Sequence, residues 1–156
     1  MAEIHQLHPA EPVFGIVAAG RVMTESVAPW VQDLGLLVES IECGRPAGAP
    51  ADWQPGATVR LPFSEKSCRD GVVSSQALLA LADTAMVFAC SAAWNAYRPM
   101  STIDQTMHFL RPVNFDVIAD ARVVRIGRAT TFGRVTLYSA ADRRPVGMVS
   151  GAYAML

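Results

Sequence analysis

The apolar run from residue 77 to residue 94 constrains the fold more than any other part of the chain. Within Ala77-Leu78-Leu79-Ala80-Leu81-Ala82-Asp83-Thr84-Ala85-Met86-Val87-Phe88-Ala89-Cys90, only Asp83 and Thr84 depart from apolar or small side chains. Ser74 and Ser75 ahead of the run are good N-cap residues, and nothing from there to about Asn95 breaks a helix. A helix that is apolar nearly all round has to be wrapped by other structure. The run is long enough to raise the question of a membrane span, but Asp83 near its middle would cost roughly 2.5–3.5 kcal/mol on insertion, so a buried helix is predicted and no membrane partner is expected. Asp83 in turn needs a partner, a proton or a pocket, because burying an unpaired charge costs roughly several kcal/mol. An acid poised in an apolar pocket is what general-base chemistry uses. The same residue equally suits a structural bond to a backbone amide or to an arginine.

Everything after Met100 is strand-like. Residues 101–110, 117–126, 130–139 and 146–155 are β-rich runs separated by Arg111-Pro112, by Gly127-Arg128 and by Ala141-Asp142-Arg143-Arg144. Ahead of the helix, 36–42 and 58–63 read as strands, and Pro29 to Gly35 as a helical turn closed by glycine. Residues 13–26 read as a short helix on the domain's edge, preceded by a loosely held tail with Pro9 and Pro12. The expected division is therefore 1–28 as tail and short helix and 29–156 as the folded domain. Residues 44–56 carry too much proline and glycine for regular structure, and read as a surface insertion in preference to a substrate lid. Two strands, one long buried helix and four strands make an α+β domain in which an antiparallel sheet curls around the helix.

At 156 residues, of which 51% are hydrophobic, the chain is one domain with a sizeable core. A formal net charge of −1 provides no global basic surface, so no nucleic-acid partner is expected. Cys43, Cys68 and Cys90 lack CxxC spacing or a nearby histidine. That speaks against a structural zinc and fits a reducing, cytoplasmic setting. No secretory leader pattern is visible near residue 1. No GxSxG, P-loop or GxGxxG motif occurs, which leaves serine-hydrolase and nucleotide-binding readings without support. His108 lies in a strand without a spaced partner and reads as a structural histidine of the core, not a metal ligand.

Residues 71–86, Gly71-Val72-Val73-Ser74-Ser75-Gln76-Ala77-Leu78-Leu79-Ala80-Leu81-Ala82-Asp83-Thr84-Ala85-Met86, resemble the central-helix motif of hotdog-fold acyl-CoA thioesterases of the phenylacetate-degradation, PaaI-like type. The likeness continues through residues 101–112, ending in Phe109-Leu110-Arg111-Pro112, and through Gly127-Arg128 and Gly151-Ala152-Tyr153. It covers roughly residues 30 to 156. The resemblance implies a hotdog fold, hydrolysis of an acyl-CoA, Asp83 as base or nucleophile, and the Ser75 backbone N–H as the donor that polarises the thioester carbonyl. It also implies a hydroxyl at Ser101 that orients the water or the carboxylate, and no cofactor beyond the coenzyme A of the substrate. Ser74, Gln76, Arg111 and Arg128 are the expected substrate contacts, the arginines for coenzyme A phosphates, with Arg125 and Arg134 as further candidates. The chain departs from the family where His-Gly-Gly is replaced by Ser74-Ser75-Gln76 and where an asparagine of some relatives is replaced by Cys68. A non-catalytic acyl-CoA binder is therefore an alternative, and a hotdog dehydratase using His108 a more distant one.

Helix geometry adds a constraint of its own. Ser75 and Asp83, eight positions apart, are separated by about 12 Å along one helix. One thioester carbon cannot meet both, so a working site has to combine Asp83 of one subunit with Ser75 of another. The expectation is a homo-oligomer, a dimer or a dimer of dimers.

Overall fold

The computed structural model describes residues 13–156, and the expected tail with Pro9 and Pro12 lies outside the described residues. The elements are α1 (Ile16–Glu25), α2 (Pro29–Gln32), β1 (Leu37–Glu42), β2 (Gly56–Leu61), β3 (Cys68–Arg69), β4 (Val72–Val73), α3 (Ser75–Trp94), β5 (Met100–Phe109), β6 (Val117–Ile126), β7 (Thr130–Ser139) and β8 (Pro145–Met155). A six-stranded antiparallel sheet in the order β1-β2-β6-β7-β8-β5 wraps α3. This is the hotdog arrangement. The two-residue strands β3 and β4, which the sequence reading passed over, pair as a small hairpin just before the helix. Asp70 and Gly71 at its turn both have positive φ, 53° and 79°, and glycine adopts that geometry without strain.

Helix α3 starts where it does because Ser74 is extended and its Oγ accepts from the Ala77 amide at 3.3 Å. It ends at Asn95, which takes the left-handed conformation common at helix C-termini. Although the helix is long and apolar enough to cross a membrane, it is mostly buried within the domain. Leu81, Met86 and Phe88 pack with Val59 and Leu61 of β2, Val117 and Val123 of β6, Val135 and Leu137 of β7 and Tyr153 of β8. Gly133 of β7 lets the helix approach closely, since a Cβ there would overlap the Met86 thioether.

The expected division at residue 28 does not separate two cores. Phe14, Ala19 and Val22 belong to the same apolar cluster as α3 and the sheet, the Phe14 amide donates to Asn95 Oδ1 at 2.8 Å, and the Cys43 thiol donates to the Phe14 carbonyl. Amphipathic α1 is part of the domain because its buried stripe has only this core to pack on. The 44–56 loop is a compact insertion. Arg45 donates to the Ala49 and Pro50 carbonyls, and Arg122 ties Gln54 to Glu42 and Asp120 across the sheet.

Candidate active site

Asp83 sits midway along α3, where the helix passes the beginning of β5. Thr102 Oγ1 donates to Asp83 Oδ1 at 2.8 Å. Burial pushes the Asp83 carboxyl above the ordinary aspartate range, and the Thr102 hydrogen bond, which favours the anion, opposes that rise. The carboxylate is thus a stronger base than a solvated aspartate, and its orientation is held by a neighbouring hydroxyl. It opens on a cavity of about 290 Å³ whose walls include Val22, Val31, Val87, Tyr97 and Met100. Cys90, one helical turn beyond Val87, is fully buried, and burial pushes its thiol up to about 12. It is a packing residue.

The hydroxyl that bonds the acid belongs to Thr102 and not to Ser101, which forms no hydrogen bond with Asp83. Side chains alternate across a strand, so two consecutive residues cannot both face the helix. Thr102 stands opposite buried Tyr153 in the β5–β8 register, the inward-facing row, whereas Ser101 stands opposite Ala154. The missed signal was this parity: Thr102 and Tyr153 share a face that the β-pattern of residues 101–110, taken alone, did not mark.

Ser75 lies elsewhere. The start of α3 borders a second, more open groove of about 390 Å³ shared with Leu78, Phe109, Leu110 and Arg111. The first four amides of a helix have no carbonyl acceptor within it. Here the Ala77 amide bonds Ser74 Oγ and the Leu78 amide bonds the Ser74 carbonyl, and no acceptor for the Ser75 amide occurs among the described residues. Ser74 thereby caps the helix through its side chain. Ser75 Oγ donates to Gln76 Oε1 at 3.3 Å, and Gln76 itself is exposed and lines neither cavity.

Of the expected phosphate contacts, Arg111 adjoins Ser75. Arg128 is exposed in the β6–β7 turn, at the Thr102 end of the sheet, and Arg125 and Arg134 are exposed on β6 and β7. His108 is also exposed, on β5, which corrects its placement in the core and leaves a dehydratase reading without an inward histidine among the described residues. Among the described residues no group of His, Cys, Asp and Glu side chains is placed to hold a metal ion. Within one chain, then, the fold joins Asp83 to Thr102 and Ser75 to Arg111, and keeps the two pairs apart.

Residues 70–146 match the family model described as the thioesterase superfamily. No curated protein is a significant match to the chain. Among solved structures, a conserved protein of Pseudomonas aeruginosa is similar at 26% identity and a TM-score of 0.69, over 83% of this chain and 95% of its own. The PaaI protein from the phenylacetic acid degradation operon of E. coli is similar in fold at 18% identity and a TM-score of 0.70, over 90% of this chain and 93% of its own. A thioesterase of Haemophilus influenzae shares the fold at 18% identity and a TM-score of 0.72, over 93% of this chain and 92% of its own. With the sheet wrapped on α3 and solved structures of the same architecture, the chain is a hotdog-fold protein, and its residues 70–146, which include the motif that starts that helix, match the thioesterase superfamily model.

Proposed function

We propose that the protein is a homodimeric acyl-CoA thioesterase whose two sites each combine Asp83 of one subunit with the Ser75 amide of the other. The observation that carries the reading is Asp83 itself: a carboxylate made more basic by burial, oriented by Thr102 and opening on a cavity walled by aliphatic and aromatic side chains together with Ser26 and Thr84. The superfamily match over residues 70–146 supports hydrolase chemistry in general. The acyl-CoA substrate and the residue roles rest on the site.

Strand β5 supplies a route to the composite site. It forms one edge of the sheet, ten residues long, with exposed Ile103 and Phe109 along it and exposed Leu110 just beyond. A long, partly apolar edge is a template for pairing with another strand. Its Thr102 end lies beside Asp83 and its Phe109 end beside Ser75. Antiparallel pairing of two β5 strands about a two-fold axis sets the Phe109 end of one subunit beside the Thr102 end of its partner. That brings the free amide at one helix start toward the carboxylate of the other subunit.

In such a site Asp83 takes a proton from water as the water oxygen attacks the thioester carbon. The oxyanion is held by the partner subunit's Ser75 amide at the positive end of the helix. Collapse breaks the C–S bond, and the thiolate of coenzyme A takes up the proton, leaving the free acid. Direct attack by the Asp83 carboxylate, with hydrolysis of the resulting anhydride, uses the same groups. Gln76 beside Ser75 favours a second reading, a non-catalytic acyl-CoA binder, in which its side chain covers the amide. An acyl-CoA hydrolysis panel on the native protein, with Asp83→Asn as control, separates the two. Turnover abolished in a folded Asp83→Asn dimer supports the enzyme, and binding without turnover in the native protein supports the binder.

A further inference from the structure

The superfamily match begins at residue 70, yet much of the cavity beside Asp83 is walled by residues 22–31. Val22 of α1 and Val31 of α2 are buried, at 6% and 7% exposure, and close its depth. Val27 and Ala28 come from the link between the two helices, and Trp30 stands at the rim with 58% of its surface exposed. The link is held rigidly. Gln32 Nε2 donates to the Val27 carbonyl at 2.7 Å and to the Thr24 carbonyl at 3.3 Å, Pro29 opens α2, and Val22 is anchored in the common core. Asp83 and more than half of the cavity wall thus come from different parts of the chain, and the exposed wall residues Ala28 and Trp30 can vary without repacking the core that α1 and α2 share with α3.

We propose that α1 and α2 set the acyl specificity of the site, with Trp30 at the rim and Ala28 in the link as the residues that fix how long an acyl group is accepted. The inference rests on the thioesterase reading for the identity of the ligand and adds the structural origin of its selectivity. An apolar cavity of about 150 Å³ suffices for a benzene-sized guest. The 290 Å³ beside Asp83 therefore takes an acyl group of moderate size, and a longer chain has to pass Trp30. Each methylene accommodated or refused in an apolar pocket is worth about tenfold or more in discrimination.

The test uses the full chain and two substitutions that act at the cavity margin. Trp30→Ala opens the rim, and Ala28→Phe fills the link from a residue that is otherwise exposed and need not repack the core. Two ligand series are measured on each protein: hydrolysis of straight-chain acyl-CoAs from two to sixteen carbons (about one assay per two carbons), and calorimetric binding of the matching alkyl-CoA thioethers, which have no bond to hydrolyse. The expected result is that Trp30→Ala raises kcat/KM and thioether affinity for chains beyond the native optimum by about tenfold relative to that optimum, and that Ala28→Phe shifts the optimum to shorter chains. A chain-length profile unchanged in both folded variants overturns the proposal while leaving the hydrolase reading in place. Thioether binding that follows the expected shifts without any hydrolysis sustains the proposal and removes the hydrolase reading. No chain-length-dependent binding in the native protein overturns it as well.

Discussion

At the residue scale the proposed chemistry turns on the pair Asp83 and Thr102. Asp83→Asn preserves shape and removes the base, and it should lower thioester turnover by about 10²–10⁴-fold with circular dichroism unchanged. The same substitution has a defined effect on stability. Because burial raises the folded-state pKa of Asp83 above its unfolded value, the carboxyl favours folding while protonated, and that contribution is lost as pH rises through the folded pKa. Thermal melts should therefore show Asp83→Asn more stable than the native protein at neutral pH, with the advantage disappearing below the ordinary aspartate range. Thr102→Ala removes the bond that favours the anion. It should move the acidic limb of the kcat/KM profile to higher pH, whereas Ser101→Ala should leave that limb in place. A shift in Ser101→Ala with none in Thr102→Ala would return the role to Ser101.

At the scale of elements, the start of α3 carries two separable jobs. Ser74 caps the helix through its side chain, and Ser75 offers a backbone amide. Ser74→Ala should cost about 1 kcal/mol in denaturant unfolding, with little change in KM, since the cap and not a substrate contact is lost. Ser75→Pro makes the complementary cut. Proline is well tolerated at the first helical position, and Ser74 already has the extended geometry, φ −68° and ψ 152°, that a following proline requires. The variant should fold normally and lose about 10²–10³-fold in kcat, the usual cost of removing one oxyanion donor. Normal turnover in Ser75→Pro would remove the amide from the mechanism.

For the whole molecule, the proposed site, with Asp83 and Ser75 apart in one chain, makes assembly a condition of activity. Dimers reassembled from equal amounts of Asp83→Asn and Ser75→Pro chains contain hybrids in which one site is doubly defective and the other is intact. Random pairing makes half the dimers hybrid, so the mixture should regain about a quarter of native turnover although each variant alone is nearly inactive. A site contained within one chain would regain nothing. The free β5 edge gives a second handle: Ile103→Lys places a charge on the exposed edge and should shift sedimentation toward monomer together with loss of turnover.

Local physics determined most of the architecture. An apolar run flanked by capping serines can form only a wrapped helix, and the β-branched runs after Met100 have only that helix to cover, so the α+β order and the isolated acid at position 83 were legible from residue types alone. The tertiary structure decided what periodicity leaves open. Which of two adjacent hydroxyls meets Asp83 depends on strand parity, fixed by pairing with β8. Whether His108 points inward depends on the irregularity between Thr102 and Asp104, past which the inward face passes from even to odd positions, so that Met107 packs on the core and His108 does not. That residues 22–31 close the cavity depends on α1 folding back onto a core whose other members lie dozens of residues downstream. Those are long-range facts, set by which faces bury together, and no local pattern in the chain encodes them.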